Sequence, residues 1–194
     1  MTPINRRHLL AAGLAGAWPS AWAQGLAVSD ARTLLQQGGL VLGFRHALAP
    51  GTFDPPQFRL GECSTQRNLS EEGRAQARRI GAWFDAAQLQ PAAVRSSPWC
   101  RCMDTATLAF GRAEPWAALG SPHGSPEATS AEHLQALRAA LRGVSAQRGR
   151  LEVWVTHMFM LAALVQQSAA SGEGLVLRSG ADGAVQLLGR IAPA

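Results

Sequence analysis

The sequence predicts a three-layer α/β/α sandwich whose central sheet is mostly parallel. Two patterns indicate this: short apolar runs typical of buried strands alternate with longer segments that carry apolar residues at helical spacing. The clearest strand candidate is the run at 40–44, which is followed directly by Arg45 and His46. In sheets of this kind, sites lie beyond the carboxyl ends of the strands. Polar residues that end a buried strand are therefore candidates for function.

The first half of the chain continues this alternation. Ser70, followed by two glutamates, is typical of a helix N-terminus, because its hydroxyl can cap the first turn and acidic residues favour that end. The buried face of this helix is formed by residues at helical spacing: Ala77, Ile80, Phe84 and Ala87. The pair at 93–94 predicts a short strand, and we expect another helix to follow it and continue through Phe110.

The second half repeats the pattern. Thr129 and Glu132 form a capping box, which predicts a helix start. Alternating apolar residues at 151–155 predict a strand, and the apolar segment at 158–167 predicts a helix. Two further strands, predicted to form a hairpin, lie at 175–177 and 185–188.

The beginning of the chain has the pattern of an export signal. Arg6 and Arg7 precede an apolar stretch and the Ala-Trp-Ala motif at 21–23, which is the order found in secretory signal peptides. We expect residues 1–23 to be a signal peptide, compatible with twin-arginine export, and residues 24–194 to form one domain in the periplasm or elsewhere outside the cytoplasm. An amphipathic N-terminal helix is the alternative.

Composition narrows the range of partners. The 194-residue chain has a net charge of +5 at neutral pH, which falls to +3 once Arg6 and Arg7 are removed with the signal. No basic run is interleaved with aromatic residues, so nucleic acid is not expected as a partner. Beyond the signal, no segment is apolar enough to span a membrane.

Four short motifs resemble those of the histidine phosphatase superfamily, which includes phosphoglycerate mutases and acid phosphatases. Members have Arg-His-Gly at the end of the first strand, Arg-x-x-x-Thr-Ala on a later helix and a distal histidine after a late strand. The matching segments here lie at 45–47, 101–106 and 156–157. The segment at 68–77 looks like the family's Leu-Thr/Ser-x-x-Gly-x-x-Gln-Ala motif. Four motifs in the same order make the resemblance specific.

The resemblance implies a phosphoglycerate mutase-like fold and a phosphomonoester hydrolase. It makes His46 the nucleophile that becomes phosphohistidine, while Arg45, Arg101 and His157 hold the phosphate. Arginine suits this role because its planar fork binds phosphate oxygens in pairs and stays protonated. No cofactor and no metal are expected, and the substrate would be a phosphorylated small molecule or an envelope lipid. A catalytically silent phosphate-binding protein on the same fold is the alternative.

The general acid is the least specified residue. In phosphoglycerate mutase-like members it is a glutamate on a loop after the second arginine and before the distal histidine. Two glutamates lie between Arg101 and the helix predicted at Ala131, Glu114 and Glu127, and both are candidates. Glu127 is preferred, because it precedes a helix in a segment rich in small residues, whereas Glu114 is expected at the end of a helix. Asp54 is a third candidate, because it follows His46 closely.

The sequence departs from the family pattern in two places. Ala47 replaces the motif glycine, and Met-Phe-Met at 158–160 follows the distal histidine, where many members have glycine or polar residues. We expect the second change to make the pocket drier or to alter the start of the helix that follows. The chain also lacks an insertion long enough for the cap domain of larger acid phosphatases.

Three cysteines remain after signal cleavage, and we expect one disulfide in an oxidising compartment. Cys100 and Cys102 would point in different directions on one helix, so Cys63 is predicted to pair with one of them. Their spacing does not match a zinc motif. His123 and His133 lack a motif context and are expected in a loop and on a solvated helix face. The tryptophans are expected in the core or at the rim of the site.

Overall fold

The computed structural model describes residues 28–123 and 127–193. The predicted signal peptide at 1–23 lies outside this range. The helices are α1 (Val28–Gln37), α2 (Glu71–Ala86), α3 (Cys100–Phe110), α4 (Glu127–Ser145) and α5 (Met158–Val165). The strands are β1 (Leu40–Arg45), β2 (Ala93–Ser96), β3 (Glu114–Pro115), β4 (Leu151–Thr156), β5 (Gly174–Ser179) and β6 (Val185–Ile191).

The six strands form one mixed sheet in the order β3-β2-β4-β1-β5-β6. Strands β3, β2, β4 and β1 pair in parallel, whereas β5 and β6 are antiparallel to their neighbours. The mostly parallel sheet predicted from the sequence is confirmed. The parallel part brings the carboxyl ends of β1, β2 and β4 to one edge, and every predicted phosphate-binding residue lies there or just beyond it.

Helices cover both faces of the sheet. Successive residues of β1 alternate between the faces: Leu40 and Leu42 pack in a cluster with α1, α2 and α3, whereas Val41 packs in a second cluster with α4 and α5. Alternation of side chains along a strand explains this division. The three-layer architecture is therefore the one predicted.

The helix start at Ser70 is also confirmed. The Ser70 hydroxyl accepts a hydrogen bond of 3.0 Å from the backbone N–H of Gly73, which satisfies a donor that the first turn leaves free.

Three local predictions were wrong or missing. Glu114 lies in β3, which pairs with β2, and not at the end of a helix. Thr129 lies inside α4 and not at its start, so Thr129 and Glu132 do not form a capping box. The sequence patterns did not predict α1, which places Ala31 and Leu35 in the core.

Close contact between α2 and α3 gives a stability prediction. A Cβ at Gly81 in α2 would lie 2.3 Å from the carbonyl oxygen of Ala109, whereas a Cβ at Gly143 in α4 would meet nothing within 4 Å. Gly81→Ala should lower the free energy of unfolding by about 1–3 kcal/mol, as overpacking does. Gly143→Ala is the matched helical control and should raise it by about 0.5–1 kcal/mol. Urea titration measures both, and equal stability of the two variants would contradict the described packing of α2 on α3.

Candidate active site

The predicted phosphate-binding residues meet because β1 and β4 are neighbours. Arg45 is in register with Thr156, so the next residues, His46 and His157, emerge side by side with ring centroids 5.6 Å apart. Arg101 joins them from the first turn of α3. All four line one cavity of about 270 Å³.

His46 is held in one tautomer. Its Nδ1 lies 2.8 Å from the carbonyl oxygen of Ala47, and a carbonyl can only accept, so Nδ1 carries the proton and Nε2 the lone pair. Burial lowers the pKa of His46 to about 3, and the positive charges of Arg101, Arg67 and Arg45 act in the same direction. The ring is therefore neutral near pH 7 and has a nitrogen able to attack an electrophile.

His157 has the opposite tautomer. Its Nδ1 lies 3.3 Å from Nη2 of Arg101 and must accept from it, so Nε2 carries the proton and donates to the hydroxyl of Ser97 at 2.8 Å. Burial, followed by the charge of Arg101, places the pKa of His157 well below its ordinary value. The thiol of Cys102 packs against the same ring, and burial raises the pKa of this thiol to about 12.

A third arginine, Arg67, lines the cavity beside Arg45 and Arg101. Burial lowers the pKa of both Arg45 and Arg67, and the nearby charge of Arg101 lowers it further. In each of the three guanidinium groups, Nε is buried and has no hydrogen-bond partner in the described part of the chain. Such a cluster of like charges with unused donors is suited to a multivalent anion.

Asp54 partly neutralises this cluster. Its carboxylate accepts a hydrogen bond of 2.8 Å from Nη1 of Arg101 and another of 3.0 Å from the backbone N–H of Arg67. Among the described residues that line the cavity, it is the only carboxylate. An incoming anion would share or displace these contacts.

Several residues of the sequence motifs support the site without lining it. The Thr105 hydroxyl donates to the carbonyl of Arg101 and accepts from the N–H of Ala47, so it connects the two motifs. The Gln76 side chain accepts from the N–H of Leu48 and donates to the carbonyl of Ser171. These bonds explain why Thr and Gln are present at those motif positions.

Other predicted residues lie elsewhere. Glu127 is the first residue of α4 with an exposed side chain, and it is not among the described residues that line the cavity. His133 lies on α4 outside the cavity, as expected. His123, expected only in a loop, lines the cavity. Its sequence neighbourhood gives no signal for this, because a contact between distant segments places it there.

Arg67 was also missed by the sequence motifs. It lies directly before the Asn68-Leu69-Ser70 segment that resembles the family motif, and this position was the available signal. The side chain donates to the backbone carbonyl of Ala49, which holds it at the cavity wall.

A disulfide fixes the loop that carries Arg67. Cys63 is bonded to Cys100, one of the two pairings predicted, and Cys102 is a buried free thiol. The N–H of Cys100 also donates to the side chain of Gln66 at 3.0 Å. These bonds tie the segment at 63–67 to the start of α3, where Arg101 lies.

Among residues 28–123 and 127–193, no group of three or more His, Cys, Asp or Glu side chains is arranged to hold a metal ion. Within the same ranges, no helix has the length and hydropathy needed to cross a bilayer.

Comparison with known proteins confirms both the resemblance and the fold. A family model described as "Histidine phosphatase superfamily (branch 1)" matches residues 59–119, the segment that contains Arg67, the α2 motif and Arg101. No curated protein gives a significant sequence match.

Solved structures share the fold at low identity. The protein histidine phosphatase SixA in complex with tungstate is 18% identical with a TM-score of 0.55, and the match covers 79% of this chain and 97% of that one. A mycobacterial glucosyl-3-phosphoglycerate phosphatase is 17% identical with a TM-score of 0.55 over 77% of this chain and 97% of its own. The alpha-ribazole phosphatase from Shigella flexneri is 14% identical with a TM-score of 0.55 over 80% and 96%. These neighbours show that the chain shares their fold.

Loss of the disulfide should weaken both the fold and anion binding. The bond joins residues separated by 37 positions, so Cys63→Ser should reduce the free energy of unfolding by about 4 kcal/mol. It should also raise the dissociation constant for inorganic phosphate in calorimetry, because Arg67 is no longer held beside Arg101. Ser64→Ala, in the same exposed turn, is the control and should change neither. Unchanged phosphate affinity in Cys63→Ser would show that the bond does not position the arginine.

Proposed function

We propose that the chain is a phosphomonoester hydrolase that acts through a phosphohistidine on His46, needs no metal ion and works after export to the periplasm. The fold and the family match support a phosphatase. The finer parts of the proposal rest on the chemistry of the cavity and, for the location, on the sequence of residues 1–23.

The observation that carries the proposal is a set of three guanidinium groups, each with an unused Nε donor, around a neutral histidine. Arg45, Arg67 and Arg101 each have a buried Nε without a partner among the described residues, and His46 has its lone pair on Nε2. A phosphoryl group has three equatorial oxygens, and stabilisation of their charge is most of the catalysis that phosphoryl transfer requires. The arginines supply that charge without a metal ion.

In the first step, Nε2 of His46 attacks phosphorus and forms a P–N bond, while the P–O bond to the leaving group breaks. The proton on Nδ1 stays hydrogen-bonded to the Ala47 carbonyl, which stabilises the positive charge that develops on the ring. His157 is fixed beside the attacking ring, because its Nδ1 accepts a hydrogen bond from Arg101 and its Nε2 donates to the hydroxyl of Ser97. The leaving alkoxide takes a proton from a general acid.

In the second step, water attacks the phosphorus of phosphohistidine. The P–N bond breaks, inorganic phosphate leaves, and His46 returns to its neutral form. The residue that lost its proton in the first step accepts one from water, so the cycle closes.

Two residues are candidates for the general acid that protonates the leaving group. Glu127 stays our sequence-based prediction, although it is exposed at the start of α4. Asp54 lies in the cavity, but its carboxylate accepts from Arg101 and from the Arg67 backbone. A phosphate that took over the contact with Arg101 would free this carboxylate from its ion pair.

One observation favours the alternative, a silent phosphate-binding protein. No carboxyl group other than the ion-paired Asp54 lines the cavity in the described structure. Such a protein would bind phosphate with the same arginines but would turn over no ester.

Removal of the nucleophile should distinguish a phosphomonoester hydrolase from a silent phosphate-binding protein. We expect the wild type to hydrolyse p-nitrophenyl phosphate in excess EDTA, and His46→Ala to lose turnover by roughly four orders of magnitude, because the covalent route is gone. His133→Ala, a histidine outside the cavity, should keep full activity, and thermal unfolding should show that His46→Ala is folded. A wild type that binds phosphate but hydrolyses nothing would establish the silent alternative. Activity lost in EDTA and restored by a divalent ion would contradict the arginine-based mechanism.

Leaving-group dependence should identify the acid. A poor leaving group needs protonation, whereas p-nitrophenolate does not, so the acid's variant should lose turnover on an alkyl phosphate by roughly 10²–10⁴ and far less on p-nitrophenyl phosphate. Glu127→Gln and Asp54→Asn are compared, each with both substrates. If neither variant discriminates between them, neither residue is the acid.

A further inference from the structure

The outer part of the cavity differs sharply from its arginine-lined floor. Apart from Asp54, the two histidines and the three arginines of the floor, ten residues line it, and none of them is Arg, Asp or Glu. Five of the ten carry aromatic rings: Phe53, Phe58, Trp99, His123 and Phe159. Half of the residues that face the part of a substrate beyond the phosphate are therefore aromatic.

Three of these rings, Phe53, His123 and Phe159, form a feature that we call the aromatic rim. The ring of Phe53 stacks on that of His123 with centroids 4.5 Å apart, and Phe53 and Phe159 are parallel within 3° at 6.4 Å. His123 and Phe159 lie 5.9 Å apart at 27°. The three residues come from the loop after β1, the segment before α4 and the first turn of α5. The planes of three rings from distant segments thus lie within 29° of one another.

A second pair of aromatic rings lines the same cavity and contacts the phosphate floor. Phe58 and Trp99 stack at 5.5 Å with an angle of 12°, and Trp99 contacts the ring of His157 edge-on at 5.2 Å. The aromatic surface therefore begins at the phosphate-binding histidine itself.

The rim is exposed in the free protein. Phe53 is 57% exposed and Phe159 is 36% exposed, and they are two of the three large apolar side chains that the described residues leave open to solvent. The third, Leu60, is not among the described cavity-lining residues. Apolar surface concentrated at the mouth of a cavity is typical of a ligand-binding surface.

We propose that the site takes phosphomonoesters whose alcohol part carries a planar aromatic ring, with the phosphate on the arginines and the ring against the aromatic rim. The inference deepens the proposed hydrolase function and rests on it for turnover, but not for binding. A sugar would need several polar partners for its hydroxyls, whereas the outer cavity offers few. A second phosphate would need further positive charge, and the described residues of the outer cavity contain no arginine.

Binding of inert analogues tests the ring preference without depending on catalysis. Benzylphosphonate and cyclohexylmethylphosphonate carry the same charge and nearly the same shape, but only the first has a flat π-face. Calorimetry on the mature chain should give about tenfold tighter binding of benzylphosphonate, the gain expected from aromatic stacking beyond simple burial. The double variant Phe53→Leu, Phe159→Leu keeps apolar volume but removes two aromatic faces. It should therefore reduce the difference in affinity between the two phosphonates to about twofold or less. Leu60→Ala is the control for an exposed apolar residue outside the cavity and should keep the tenfold preference. Affinity for inorganic phosphate should be unchanged in all three proteins.

Equal affinity of the two phosphonates for the wild type would overturn the inference. So would tighter binding of a long-chain alkylphosphonate or of phosphocholine, which would indicate a lipid or a quaternary ammonium group as the ligand. Selective binding of benzylphosphonate without hydrolysis of benzyl phosphate would support the ring-binding inference and contradict the proposed hydrolase function.

Discussion

The arrangement of this site depends on one electrostatic constraint, the mutual repulsion of three arginines around two neutral histidines. Burial and like charge lower the pKa values of Arg45 and Arg67, and the same charges help to keep His46 unprotonated. Close placement of like charges is unfavourable unless an anion is bound, and Asp54 offsets only part of it through Arg101. The cavity is thus organised for an anion that carries more charge than one carboxylate.

The fold holds these groups together through rigid elements. The pairing of β1 with β4 fixes the two histidines next to each other, while α3 presents Arg101 and its Thr105 hydroxyl binds back to Ala47. The Cys63–Cys100 disulfide ties the Arg67 loop to the same helix. Each charged group is therefore restrained by backbone or covalent bonds, which keeps the repelling side chains from moving apart.

Local sequence predicted the parts of the site that a single element determines. Arg45, His46 and His157 end or follow buried strands, and Arg101 lies in the first turn of a helix, so their strand and helix positions together with the family resemblance were sufficient to predict them. Arg67 and His123 belong to irregular segments, and only the packing of distant segments brings them to the cavity. Local sequence also failed for Glu127. Its predicted place next to a helix start gave no information on its distance from the cavity, and it is not among the described residues that line the cavity.

The boundaries of helices and strands were likewise predictable only where a nearby side chain sets them. The N-terminus of α2 was predictable because Ser70 caps it with its own side chain. The strand β3 consists of two residues that are held only by pairing with β2, so nothing in their local composition marks them. Pairing and packing partners that lie far away in the sequence set such elements.

Covalent phosphorylation of Nε2 of His46 can be tested by rapid acid-free quenching during turnover, followed by peptide mass spectrometry. We expect one phosphoryl group of acid-labile, base-stable character, located on His46 in the wild type and absent from His46→Ala. Phosphate found on another residue, or turnover with water as the only nucleophile and no phosphoenzyme at any time point, would contradict it.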